Sequence, residues 1–144
     1  MTQLAQEMRD ALNLAGDAVQ RDAHGRVALV ATECNACSKR VFPPTDVCPE
    51  CMAEDLSNLT LGPRGTLYSW SLVHAAPRGW TLPFVAAYVD MPEGVRVFAH
   101  VVGVDPEKLK IDMPVEVCMA VLGKDETNAV VESYSFKPAS EENN

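Results

Sequence analysis

Residues 34–51, CNACSKRVFPPTDVCPEC, carry two C-x-x-C pairs with ten residues between them and a Phe-Pro-Pro at 42–44. Zn²⁺ prefers four ligands in a tetrahedron, and thiolate sulfur suits it. One C-x-x-C turn places two sulfurs on one side of an ion, and a second turn supplies the other side. Cys34, Cys37, Cys48 and Cys51 therefore form a complete ligand set within eighteen residues. The same four sulfurs serve rubredoxin-type iron, and a redox dithiol is the third alternative. Nothing else along the chain signals electron transfer, so zinc is the expectation. Four protein ligands leave no open position for water or substrate, which makes the expected site structural. Its binding energy is then folding energy for a ribbon that can bury little apolar area.

The rest of the 144 residues must suit that ribbon. The length fits one ordinary domain, or two very small ones sharing an interface. A net charge of −8 and a pI near 4.8 argue against a nucleic-acid partner, which usually meets a basic surface. The first nineteen residues hold early acidic side chains and no continuous apolar core of the secretory kind. No apolar run approaches the roughly 18 residues of a membrane span. A cytoplasmic protein with reduced thiols is the expectation, and paired C-x-x-C motifs there point to metal ligands.

Around the ribbon the pattern is mainly β. Residues 3–19 carry Leu4, Met8, Leu12 and Ala15 at helical spacing, an amphipathic helix that packs on its own chain or docks on a partner. Residues 26–33 are β-branched and apolar, a strand running into Cys34. Lys39 to Phe42 form a short return strand stopped by Pro43-Pro44. After Cys51 comes an acidic stretch, 52–61, and a turn at Gly62-Pro63. Strands follow at 66–73, 84–91, 95–102, 114–122 and 129–136, with Tyr68, Trp70 and Leu72 on one face of the first. Asp105-Pro106 opens a short helical segment between the third and fourth. Five strands in that order match an OB-fold barrel, with another small Greek-key barrel as the alternative. The resulting division is an N-terminal helix at 1–25, a rubredoxin-like zinc ribbon at 26–62, a five-stranded OB-fold barrel at 63–137 and a flexible tail at 138–144.

Residues for independent catalysis are scarce, and no catalytic residue is assigned. Cys118 lies in a strand pattern with no adjacent histidine, as a small core residue does. His24, His74 and His100 are dispersed, with His100 expected on the barrel wall. No glycine-rich phosphate loop is present. Four residues are candidates for a ligand. Lys39 and Arg40 stand beside the metal knuckle, and Arg78 and Trp80 stand in the loop between the first two barrel strands. OB-folds use that loop and the strand 2–3 face for ligands. A cation beside a large aromatic suits a ligand with a phosphate and an apolar part. The structural alternative is a solvated Arg78 with Trp80 capping the barrel end.

Cys34-Asn35-Ala36-Cys37, Phe42-Pro43-Pro44, Cys48-Pro49-Glu50-Cys51, Gly65-Thr66-Leu67-Tyr68-Ser69-Trp70 and Pro83-Phe84-Val85 together resemble a known family. It comprises the zinc-ribbon/OB-fold accessory proteins of thiolases and other acyl-CoA enzymes, and the resemblance runs from about residue 4 to residue 136. Within the family the short free-standing form is similar to the small subunit of benzoylsuccinyl-CoA thiolase. The resemblance implies a non-catalytic subunit whose thiolase-type partner performs C–C bond thiolysis on an acyl-CoA substrate. It also implies that ribbon and barrel help form the complex and organise the substrate site. Coenzyme A thioester is then a ligand of the complex, with Lys39, Arg40, Arg78 and Trp80 as candidate contacts. Some relatives have lost metal ligands; this chain keeps all four. A free-standing acyl-CoA-binding module and a single-stranded nucleic-acid binder using Trp70, Trp80 or Tyr88 are the alternatives.

Overall fold

The run of β-branched and aliphatic residues before Cys34 forms the strand from which the architecture is built. The computed structural model describes residues 18–21, 24, 26–76 and 78–139. Strands β1 (Val19–Arg21), β2 (Val27–Cys34), β3 (Arg40–Val41) and β4 (Leu56–Thr60) make the ribbon sheet. β2 is central: β1 and β3 pair with it antiparallel on one side, and β4 runs antiparallel along Val30 to Cys34 on the other. The helix expected over 3–19 lies outside the described residues except for Ala18 and Val19, and Val19 begins β1 instead. The acidic stretch at 52–61 contains a strand that its polar residues had concealed. Leu56, Ser57, Asn58, Leu59 and Thr60 pair with β2, leaving the charged residues in the preceding loop.

Beyond Gly62-Pro63 come β5 (Arg64–Val73), β6 (Phe84–Asp90), β7 (Arg96–Val101), β8 (Pro114–Lys124) and β9 (Val130–Pro138). They close in the order β5-β6-β7-β9-β8, with β7 and β9 parallel and the other pairs antiparallel. That is the OB-fold barrel. The segment between β7 and β8 is one turn of 3-10 helix, Pro106–Lys108. The Asp105 side chain caps it by accepting from the Glu107 N–H at 3.0 Å. β9 continues through Pro138, one residue past the expected end of the barrel, and the Ala139 N–H donates to the Pro114 carbonyl.

Alternation along the strands sets the two faces. Val85, Ala87 and Val89 of β6 and Val97, Ala99 and Val101 of β7 point inward, whereas Tyr88, Arg96 and Phe98 are exposed. β5 breaks its own alternation. Its register against β6 shifts between Leu67 and Ser69, which leaves Tyr68 as the extra residue of a bulge. Tyr68 is therefore exposed on the outer wall, while Trp70, opposite Ala87, packs against the core. The face shared by Tyr68, Trp70 and Leu72 in a regular strand does not exist.

One core serves ribbon and barrel together. Leu29, Ala31 and Leu61 from the ribbon side join Leu67, Val89, Val97, Val115 and Phe136 from the barrel in a single buried cluster. Burying each such aliphatic or aromatic side chain contributes about 1.5–3 kcal/mol. Gly65 makes this packing possible: a Cβ there would stand 2.7 Å from both Met91 Sδ and Val89 Cγ1.

Candidate functional site

Two loops with one geometry hold the four cysteines. In the first, the Cys34 N–H donates to the Lys39 carbonyl and the Ser38 N–H donates back to the Cys34 carbonyl, both at 2.9 Å. In the second, the Cys48 N–H donates to the Ala53 carbonyl at 2.8 Å and the Met52 N–H to the Cys48 carbonyl at 2.9 Å. The Ala36 N–H points at Cys34 Sγ and the Glu50 N–H at Cys48 Sγ, each at 3.4 Å. Ser38 and Met52 occupy the same place in the two loops, and both are left-handed, with φ of 68° and 65°. A conformation that non-glycine residues rarely take, repeated at equivalent positions, marks a turn imposed by what it surrounds.

The two loops face each other. Cys34 Sγ lies 3.6 Å from Cys51 Sγ, Cys37 Sγ lies 3.6 Å from Cys48 Sγ, and all four sulfurs lie within 4.8 Å of one another. A tetrahedral Zn²⁺ with Zn–S bonds of about 2.3 Å needs sulfurs about 3.8 Å apart. The set fits the ion. Cys34 and Cys48 are buried and Cys37 and Cys51 exposed, so the cluster sits at the edge of the ribbon.

Electrostatics agree with a cation at the centre. The N–H of Cys51, aided by that of Glu50, brings the Cys48 thiol down to about 7. The N–H of Cys37 likewise lowers Cys34 against its burial. For Cys37 the Lys39 N–H pulls downward, yet burial and the three neighbouring sulfurs carry it to about 12. The Ala53 N–H pulls on Cys51 too, and the Cys34 sulfur and burial still raise it. Backbone dipoles thus favour two thiolates, and their charge opposes the other pair. A divalent cation removes that opposition, because coordination deprotonates a thiol outright.

The candidate ligand residues do not meet. Arg40 is engaged: its Nε donates to Glu33 Oε2 at 2.6 Å and its Nη1 to the Glu93 carbonyl at 2.7 Å. It is not a free cation for phosphate. Lys39 is exposed beside it. Arg78 is exposed at the other end of the barrel, lining a cleft with Lys124, Asp125 and Glu126. Trp80 is half-buried, and its ring lies 6.0 Å from that of Phe84 and 5.9 Å from that of His100. The seven residues of β6 separate the two groups, roughly 20 Å at the rise of a strand. They cannot form one compact pocket.

The Arg78–Trp80 loop is fastened to the β8–β9 hairpin. The Lys124 N–H donates to the Gly79 carbonyl at 2.8 Å and the Thr81 N–H to the Leu122 carbonyl at 3.0 Å. Gly79, at φ +97°, allows this approach, since a Cβ there would strike the Lys124 carbonyl. Beside it Phe84, His100, Pro83, Thr81, Val121 and Leu122 help line a cleft of about 330 Å³. On the outer wall Tyr88 pairs with Phe98, rings 5.0 Å apart. Arg96 lies 3.6 Å over the Tyr68 ring while donating to Asp90. Tyr68 and Phe98 were missing from the sequence-based set of aromatic candidates. The bulge that exposes Tyr68 has no local sequence signal.

Residues 23–57 match the family model described as the ChsH2 rubredoxin-like zinc ribbon domain, and residues 60–120 match the ChsH2 C-terminal OB-fold domain. A DUF35 domain-containing scaffold protein of Methanocaldococcus jannaschii is 31% identical over 117 residues, spanning 78% of this chain and 83% of the relative. The chain belongs to the DUF35 family. Another relative is the benzoylsuccinyl-CoA thiolase subunit BbsA of Geobacter metallireducens. It is 33% identical over 104 residues, covering 72% of this chain and 70% of that one. Among solved structures, the Ltp2-ChsH2(DUF35) aldolase superposes with a TM-score of 0.64 at 31% identity, over 78% of this chain and 86% of that chain. The DUF35 architecture of zinc ribbon followed by OB barrel is thus present here with all four cysteines gathered.

Proposed function

We infer that this chain is a non-catalytic subunit of an acyl-CoA enzyme complex, serving a thiolase-type partner that performs C–C bond thiolysis. The observation that carries the reading is the alignment of ribbon and barrel together with a thiolase subunit. The finer proposal is an aromatic acyl-CoA such as benzoylsuccinyl-CoA as the partner's substrate, in the cytoplasm. In this reading Cys34, Cys37, Cys48 and Cys51 hold a structural zinc, and ribbon (26–62) and barrel (63–137) act as one docking body.

The chemistry of the chain supports a partner-dependent role. Four sulfurs fill a tetrahedral ion, which leaves no position for substrate. Cys118, Ser135 and His100 are neighbours in register across β8, β9 and β7. They nevertheless do not form a nucleophile–base pair. The Ser135 hydroxyl donates to the Ser133 carbonyl at 3.5 Å, and burial pushes the Cys118 thiol up, away from the reactive thiolate. For a coenzyme A contact on this chain the Arg78–Trp80 end and Lys39 are the better candidates, because Arg40 is already paired. An oligonucleotide is disfavoured by the −8 charge and by the pairing of Arg96 with Asp90 on the aromatic wall.

The test is native mass spectrometry of the tagged chain purified from its own host on different carbon sources. A co-purifying thiolase-sized chain, with one zinc per copy of this subunit, is the expected result. A zinc-loaded chain that remains alone under every condition, and binds acyl-CoA by itself, overturns the subunit reading in favour of a free-standing acyl-CoA module.

A further inference from the structure

We propose that Glu93 is a latch that ties the metal ribbon to the barrel, so that the state of the four-cysteine centre reaches the β6–β7 turn. Two separate parts of the ribbon converge on this one barrel residue. Arg40 of β3 donates from Nη1 to the Glu93 carbonyl at 2.7 Å, and the Gly62 N–H, just after β4, donates to Glu93 Oε2 at 2.9 Å. The fit is close: a Cβ on Gly62 would stand 3.3 Å from that oxygen. Glu93 itself sits at the tip of the turn closed by Met91 N–H to Val95 O and Gly94 N–H to Met91 O.

The path from the metal to Glu93 is short. β3 begins three residues after Cys37, and its position follows from the first knuckle, where the Lys39 carbonyl accepts from the Cys34 N–H. Arg40 is then aimed by Glu33, its cross-strand partner, at 2.6 Å. Glu93 Oε1 is buried with no hydrogen-bond partner among the described residues. A half-satisfied buried carboxylate weakens the turn that carries it. Its placement is explained by what the other oxygen and the carbonyl hold across the junction.

Opening the knuckle removes the support of Arg40, so metal loss should loosen the turn at 91–95. By reciprocity, breaking the latch must loosen the metal. This inference rests on the reading of the cysteines as a structural zinc site, and it is independent of any partner. The experiment uses the zinc-loaded full chain and measures zinc affinity at equilibrium by competition with a chromogenic chelator. Glu93→Ala, which removes the carboxylate that Gly62 meets, and Arg40→Ala, which removes the bond to the Glu93 carbonyl, should each bind zinc about five-fold more weakly than the wild type. Arg96→Ala, which cuts the exposed Arg96–Asp90 ion pair of the same hairpin and touches neither Arg40 nor Gly62, should stay within about two-fold. Hydrogen exchange gives the second readout. Chelation should lower the protection of the Met91 and Gly94 amides by about ten-fold while the β8–β9 amides keep theirs, which also shows that the barrel is still folded. Unchanged zinc affinity in both latch variants, an equal loss in Arg96→Ala, or a turn indifferent to chelation would each overturn the latch. A wild-type chain that holds no zinc would instead overturn the metal reading beneath it.

Discussion

The rings of Phe84 and His100 lie face to face, centroids 4.2 Å apart and planes 8° from parallel. This stacking half-buries the imidazole at the mouth of a cleft and pushes its pKa below the ordinary 6.5 through loss of hydration. Protons then bind the unfolded chain more readily than the folded one. The contribution of His100 to stability is complete above 6.5 and is lost as the pH falls through the lowered value. Urea unfolding at about pH 7.5 and about pH 5.5 checks this: the midpoint should drop further in the wild type than in His100→Gln. An equal drop in both would place the acid sensitivity elsewhere.

Cys48 is fully buried beneath the second knuckle, and its removal takes one corner of the tetrahedron. Cys48→Ser should lose zinc and unfold the ribbon. The barrel should survive at reduced stability, because Leu29 and Leu61 share its core and each contributes roughly 1.5–3 kcal/mol. Metal analysis together with near-ultraviolet dichroism of Trp70 during a melt measures both effects. A variant that melts like the wild type would show that the shared core does not couple the two parts.

Met52 is 71% exposed and in the left-handed region, so its side chain matters little and its backbone a great deal. Met52→Val puts a β-branched residue where such residues are disfavoured even more than methionine, and should weaken zinc binding measurably. Met52→Gly should bind zinc at least as well as the wild type. Competition with a calibrated chelator separates the pair, and a loss in both variants would mean that the thioether itself is needed.

Gly65→Ala introduces a methyl group 2.7 Å from Met91 Sδ and 2.8 Å from the Asp90 carbonyl. Met91 can move; the backbone carbonyl cannot without opening the β5–β6 ladder. A loss of roughly 1–3 kcal/mol in urea unfolding is expected, typical of overpacking. A neutral substitution would show that the start of β5 yields more easily than its pairing with β8 suggests.

How far the sequence alone reaches is clearest at particular residues. The four cysteines were legible because coordination chemistry is local: two C-x-x-C turns fix the sulfur count whatever surrounds them, and the structure brings all four within 4.8 Å. The five barrel strands were legible because each is a run of apolar and β-branched residues bounded by turn signals. β4 was harder, since Leu56–Thr60 is mostly polar and becomes a strand only by pairing with β2. The candidate ligand set was the least legible. Lys39 and Arg40 were grouped with Arg78 and Trp80 by residue type, but the length of β6 keeps them apart and Glu33 and Glu93 occupy Arg40.

By itself, then, the sequence determined the metal-binding set, the mainly β class and the order of the barrel strands, because ligand spacing and runs of apolar residues between turns are properties of neighbouring residues. Tertiary structure decided which residues are available. The bulge sends Tyr68 to the outer wall and Trp70 to the core, ribbon and barrel bury one common cluster, and Glu93 receives both Arg40 and Gly62. These depend on register and contact between segments far apart in the chain, as Arg40 and Glu93 are at a separation of 53 residues. No local pattern encodes them, since pairing energy is settled only when the strands have met.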